Sequence, residues 1–263
     1  MEDLIQIVRE AGNIILEADL NHDFNQTDLT DDNPMITSKE GRANFVTKYD
    51  LKVQYFLFDQ IKKLYPDAKF IGEEDDKHPS SMDGRCFIID PIDGTSNFIF
   101  DNKFSAISVA MMEDGEVTAG IVYNPYLDEL FYAKKGEKAY LNQRVLKVKP
   151  LPLKDSLAAF GTSPYEEKLA DQSFEIARKL LNHVVDIRRC GSAALDICYV
   201  AANRYSFFFE LQLSPWDFAA ASLILQEAGG KITTFDKKEL FYEAKTSIVA
   251  ANPVAYQEFY QFI

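Results

Sequence analysis

Lysine and arginine are the scarce charges in this 263-residue sequence, 28 against 41 aspartates and glutamates, for a formal net charge of −13. Nucleic-acid backbones are bound by clustered cations, so this balance speaks against a nucleic-acid partner and against polyanionic substrates in general. A small anion would need metal ions or local amides to offset the repulsion. Cysteine is sparse too. Cys86, Cys190 and Cys198 are odd in number, lack metal-ligand spacing, and two of them sit in apolar runs, which reads as reduced structural thiols in a cytoplasmic protein. No run approaches the ~18 apolar residues of a membrane span. The acidic, amphipathic beginning also lacks the basic and apolar regions of a signal peptide, so a protein without a membrane attachment is expected. Repeats, low-complexity tracts and linkers rich in Pro, Gly or Ser are missing, which leaves one domain over 1–263. What is abundant is core material: 47% hydrophobic and 13% aromatic residues describe a packed globule.

The stretch that organises the chain is Cys86-Phe87-Ile88-Ile89 followed by Asp90-Pro91-Ile92-Asp93-Gly94-Thr95. Four apolar residues predict a buried strand, ending in a tight turn of Asp-Pro and Asp-Gly pairs. Two carboxylates three residues apart at a strand end suit a hard cation such as Mg²⁺, which takes oxygen ligands. Each dipeptide also occurs in ordinary turns, and that reading stands beside the metal one. Gly94 and Thr95 would open a helix or turn whose N–H groups could hold a phosphate oxygen.

Before this stretch, Leu4, Val8, Ala11, Ile15 and Ala18 repeat at helical spacing. Residues 21 to 34 are polar and acidic and read as an exposed, mobile segment, with Lys39 and Arg42 beyond it. A second helix carries Val53, Leu57 and Ile61 on one face, and Asp50 in its first turn, where a carboxylate complements the helix dipole. Phe70-Ile71 predicts a short strand running into Gly72-Glu73-Glu74-Asp75-Asp76, either a solvated loop or a cation site.

After it, three strand signals across 104–133 describe an antiparallel meander. From about residue 156, strands and helices alternate, which predicts a second sheet flanked by helices. Ser214, Pro215 and Asp217 fit the N-cap, N1 and N3 positions of a helix that stops at Gly229, so Asp217 is explicable as half of a capping box.

Taken in order, Asn44-x-Val46-Thr47-x-x-Asp50, Gly72-Glu73-Glu74, Asp90-Pro91-Ile92-Asp93-Gly94-Thr95-x-Asn97-Phe98, Gly191-Ser192-Ala193-Ala194 and Trp216-Asp217-x-Ala219-Ala220 resemble the inositol monophosphatase family over nearly the whole chain. The resemblance implies a layered αβαβα sandwich, with an antiparallel-rich sheet in the half 1–150, a mixed sheet in the half 151–263, and a homodimer. It implies that Glu73, Asp90 and the Ile92 carbonyl hold one Mg²⁺, and that Asp90, Asp93 and Asp217 hold a second, with Glu73 also serving a third, weaker ion. Asp50 and Thr95 would activate water, with Glu74 as a supporting base. Gly94 and Thr95 amides would bind phosphate. Gly191, Ser192, Ala193 and Glu210 would face the alcohol, and Lys39 would sit on the mobile catalytic loop.

The expected activity is thus a Mg²⁺-dependent, lithium-sensitive hydrolysis of small monoesters, foremost inositol monophosphate to inositol and phosphate. Relatives of the same fold that cleave fructose 1,6-bisphosphate, 3′-phosphoadenosine 5′-phosphate, NADP or histidinol phosphate give the alternative substrates. A non-catalytic cation-binding or scaffold protein is the rival from another class. One departure stands out: Asn203-Arg204-Tyr205-Ser206 replaces the family's Gly-x-x-Asp, which bears on the choice of alcohol.

Overall fold

The computed structural model describes residues 1–20, 36–38, 45–75, 79, 81–164 and 166–263. The acidic segment at 21–34, together with Lys39, Arg42 and Asp76, lies outside the described residues. In chain order the first half comprises α1 (Glu2–Leu20), β1 (Ile36–Ser38), β2 (Phe45–Thr47), α2 (Lys48–Leu64), β3 (Lys69–Gly72), β4 (Arg85–Asp93), α3 (Thr95–Ile99), β5 (Ala106–Glu113), β6 (Glu116–Asn124), β7 (Glu129–Lys134), β8 (Ala139–Leu141) and β9 (Arg144–Val145). The second comprises β10 (Leu157–Phe160), α4 (Glu167–Leu181), β11 (Asp186–Arg188), α5 (Ala193–Ala201), β12 (Phe207–Leu213), α6 (Pro215–Glu227), β13 (Lys231–Thr233), β14 (Thr246–Ala251) and α7 (Pro253–Phe259).

β3 to β9 form a seven-stranded sheet in sequential order, parallel only between β3 and β4. The second sheet is mixed, in the order β11-β10-β12-β14-β13, with β10 parallel to both of its neighbours. Side chains of a strand alternate between faces, and here each face is buried under helices. On β4, Phe87 and Ile89 join the outer core with α1 and α2, while Cys86 and Ile88 join the central core with α5 and α6. On β12, Phe208 faces the central core, and Phe207 and Phe209 face the outer core that holds Tyr256 and Phe259 of α7. Helix, sheet, helix, sheet, helix is therefore the layer order, an α+β sandwich.

The middle layer explains the composition of its helices. A helix between two sheets must be apolar all round. In α6 every residue from Phe218 to Leu225 is buried, and its Ala219-Ala220-Ala221 run lets the sheet approach closely. A Cβ on Gly120 of β6 would stand 2.5 Å from the Ala220 carbonyl oxygen, so the strand meets the helix there without a side chain between them. The same approach fixes the start of α6, which carries Asp217.

One expectation about β4 needs correcting. The strand does not end at Ile89 but runs to Asp93, with Asp90 opposite Ser108 and Asp93 opposite Ala106. Three steps on one strand face two on the other, which is a β-bulge at Pro91-Ile92. Alternation would otherwise send residues 90 and 93 to opposite faces. The extra residue turns both carboxylates the same way.

Candidate active site

Asp50 is fixed by the start of α2. The Thr47 N–H and Oγ1 both donate to its Oδ2, at 2.7 and 2.6 Å, while Thr47 Oγ1 accepts from the Tyr49 N–H. This capping box is worth about 1 kcal/mol in an ordinary helix. It leaves Oδ1 toward Thr95, whose Oγ1 lies 3.2 Å from Asp50 Oδ1 and 3.2 Å from the Ile92 carbonyl oxygen. Gly94 is the N-cap of α3, at φ 93, a left-handed conformation that glycine adopts without strain.

Asp90 and Asp93 leave the bulge of β4. Asp90 Oδ1 accepts the Ile92 N–H at 3.0 Å. Asp93 Oδ2 accepts from Ser192 Oγ at 2.6 Å and the Ala194 N–H at 2.7 Å, which ties the first sheet to the beginning of α5. Asp217 enters from the first turn of α6, where its Oδ2 accepts the Ser214 N–H at 2.7 Å. One oxygen from each of Asp90, Asp93 and Asp217 lies within 4.8 Å of the others. Glu73, on the turn after β3, approaches closely enough to hydrogen-bond Asp90 and to act on Asp217.

Carboxylates so arranged resist ionisation. Burial, then the charges of Glu73, Asp93 and Asp217, push Asp90 well above the usual carboxylate range. Burial, then Glu73 and Asp93, do the same to Asp217. Burial raises Asp93 to about 6, against the bonds from Ser192 and the α5 amides that favour its charged form. A hard divalent cation relieves that repulsion, and every donor here is oxygen, the set that Mg²⁺ takes in preference to softer metals. The residues fit such an ion.

These groups line a cavity of about 770 Å³ whose walls also include Ile92, Gly94, Thr95, Gly191, Ser192, Ala193 and Glu210. Glu210 Oε1 accepts the Ser163 N–H at 3.0 Å, and burial pushes Glu210 up to about 7. Two of the expected site residues do not line the cavity. Asp50 is behind Thr95 and reaches the cavity through it. Glu74 is not among the residues lining the cavity, and Gln54 Oε1 accepts its backbone N–H at 3.1 Å. Lys39 falls outside the described residues.

The wall also holds residues that the sequence reading passed over, among them Gly161, Arg189, Asp196 and Lys245. Arg189 directly precedes Cys190-Gly191, and Gly161 follows β10, a strand end in a partly parallel sheet, where sites collect. Those positions were the available signal. The Asn203 departure proves local. Asn203 takes the left-handed conformation itself, at φ 62, which asparagine tolerates, and its side chain bridges Lys149 N–H and Lys147 carbonyl at 2.6 and 2.9 Å. Ser206 is buried at the foot of β12 and does not line the cavity, so no cavity group is lost with the missing Asp.

The family model described as the inositol monophosphatase family matches residues 2–262. The chain belongs to the inositol monophosphatase family. An inositol-1-monophosphatase of Caulobacter vibrioides is 36% identical over 219 residues, covering 82% of this chain and 85% of that one. The protein named Nus factor SuhB of Escherichia coli strain K12 is 36% identical over 250 residues, covering 95% and 90%. Among solved structures, the extragenic suppressor protein suhB of Bartonella henselae has a TM-score of 0.89 at 32% identity, covering 99% and 96%. Inositol monophosphatase II of Staphylococcus aureus has a TM-score of 0.79 at 31% identity, covering 96% and 90%. Members of the inositol monophosphatase family are phosphatases that generally depend on Mg²⁺, and the acidic cluster here suits that chemistry. Among the described residues, no helix is long and apolar enough to cross a membrane.

Proposed function

We propose that the protein hydrolyses small phosphate monoesters by attack of water, with inositol monophosphate as the foremost substrate. The observation that carries this reading is the meeting of Asp90, Asp93 and Asp217 in a cavity whose walls include Glu210 and Thr95, with Asp50 bonded to Thr95 from behind. Asp90, Asp93, Asp217, Glu73 and the Ile92 carbonyl would hold two Mg²⁺ ions, with Glu73 serving a third, and these supply charge for the dianion and a lowered pKa for water.

The chain's own groups do the positioning. With its Oδ2 committed to Thr47, Asp50 accepts the Thr95 hydroxyl proton at Oδ1, so the Thr95 oxygen keeps lone pairs toward the cavity. A water donating to those lone pairs turns its own lone pair outward, toward an ester phosphorus. N–H groups of Gly94 and Thr95, at the start of α3, are available to the phosphate oxygens. Gly191, Ser192, Ala193 and Glu210 face the alcohol. No phosphoenzyme is invoked, because Asp93 is already held by Ser192 and Ala194 and positioning supplies most of the remaining catalysis.

The test is phosphate release from inositol 1-phosphate with and without Mg²⁺, compared with fructose 1,6-bisphosphate, 3′-phosphoadenosine 5′-phosphate, NADP and histidinol phosphate. Asp93→Asn should lower turnover by about 10²-fold or more, the scale on which a transition-state electrostatic group acts, while the circular dichroism spectrum stays native. Unchanged turnover in that variant rejects the site. Relatives named Nus factor motivate the second reading, a non-catalytic protein, which predicts no Mg²⁺-dependent release from any of these esters. The first reading also includes a cytoplasmic homodimer inhibited by lithium, to be checked by sedimentation and by lithium titration of the same assay.

A further inference from the structure

Beyond the family-derived residues, the alcohol end of the cavity holds a cation, Arg189, whose side chain is exposed where that of Glu210 is buried. Arg189 lies in the loop between β11 and α5 and lines the cavity. Its Nη2 donates to Thr162 Oγ1 at 3.1 Å, and its Nη1 occupies the space of the missing Gly191 side chain, 2.6 Å from where a Cβ would stand. The adjacent residue in the same segment, Ser163, donates its N–H to Glu210 Oε1, and a Cβ on Gly161 would stand 1.9 Å from Glu210 Oε2. Residues 161–163 therefore brace both heads against one wall, and the Arg189 charge favours the ionised form of Glu210.

The donor and acceptor account is then incomplete on both sides. Among the described residues, the Glu210 carboxylate is held by Ser163, through its N–H and its hydroxyl, and one Arg189 N–H by Thr162, which leaves the remaining carboxylate lone pairs and guanidinium N–H groups to the cavity. An acceptor and a planar set of donors held side by side match two adjacent hydroxyls, one donating to Glu210 and the next accepting from Arg189. A second anionic group on the alcohol fits less well, because Glu210 and the buried Asp196 share that wall.

We propose that Arg189 is a specificity-determining residue which, together with Glu210, clamps a vicinal pair of hydroxyls on the alcohol part of the substrate. The assignment rests on the phosphatase reading above and adds the substrate feature that the site selects. It is tested by the ratio of kcat/KM for inositol 1-phosphate to that for cyclohexyl phosphate, esters of the same ring size that differ in their hydroxyls. Arg189→Ala and Arg189→Gln should each lower this ratio about tenfold or more, mainly through KM for the inositol ester, as expected for loss of hydrogen bonds to a charged group. Glu210→Gln should lower it too, and the double variant should lose less than the product of the single effects.

A ratio that stays constant in both Arg189 variants, or equal losses on the two esters, overturns the clamp while leaving the phosphatase reading intact. A larger loss on fructose 1,6-bisphosphate than on inositol 1-phosphate overturns it in favour of a second anionic group. If the wild-type protein cleaves none of these esters with Mg²⁺ present, the phosphatase reading fails and the clamp falls with it.

Discussion

Thr95 Oγ1 lies 3.2 Å from Asp50 Oδ1 and so joins the start of α3 to the first turn of α2 across 45 positions of sequence. Asp50 thus serves two purposes with its two oxygens. One caps a helix, and the other orients a hydroxyl at the cavity wall.

That division of labour makes Thr95 the residue to vary, since replacing Asp50 would also cost the cap. Thr95→Val keeps the shape and removes the hydroxyl, and turnover should fall by roughly 10²-fold or more, the range for a positioned proton acceptor. Thr95→Ser should retain most of it. Equal loss in both variants, measured by phosphate release at saturating Mg²⁺, would mean that the hydroxyl has no part in the reaction.

The raised carboxylates set a pH dependence whose sign follows from linkage. Asp93 at about 6 and Glu210 at about 7 bind protons more tightly folded than unfolded, where carboxyls titrate near ~4. Their contribution is fully present below ~4 and is lost as pH rises through about 6 to 7. Metal-free protein should therefore show a thermal midpoint that falls between pH 5 and 7 by a margin smaller in Asp93→Asn. Saturating Mg²⁺ should flatten the fall, because the ion takes over from the protons. A midpoint that rises over this window equally in wild type and variant would contradict the buried repulsion.

Close approach at Gly161 gives a third expectation. A Cβ there meets Glu210 Oε2 at 1.9 Å, so Gly161→Ala must displace the Glu210 head. KM for inositol 1-phosphate should rise several-fold, with a stability cost of about 1–3 kcal/mol for overpacking. An unchanged KM, with the variant folded, would remove Glu210 from the alcohol's surroundings.

Much of this architecture was legible in the order of the residues. Periodicity gave the stripes of α1 and α2 and the meander of β5 to β7, and the Ser214-Pro215-x-Asp217 signal marked the start of α6. The short strands β8, β9 and β13 carry too few residues to show a period, and β14 and α7, of six and seven residues, also went unread. The bulge in β4 was hidden for another reason. Asp-Pro and Asp-Gly pairs read as a turn that ends a strand, whereas pairing with β5 extends the strand past Pro91. Arg189 and Gly161 escaped because a lone cation and a lone glycine acquire meaning only when distant segments meet around Glu210.

Everything proposed for this protein depends on a divalent cation held by the carboxylates that β4 and α6 bring together. Crystals grown with saturating Mn²⁺ and measured for anomalous scattering test it directly. The expected result is a strong anomalous peak bounded by Asp90, Asp93 and Asp217 that weakens or disappears in Asp93→Asn. A map of the wild-type protein without a peak among those three side chains would contradict the account.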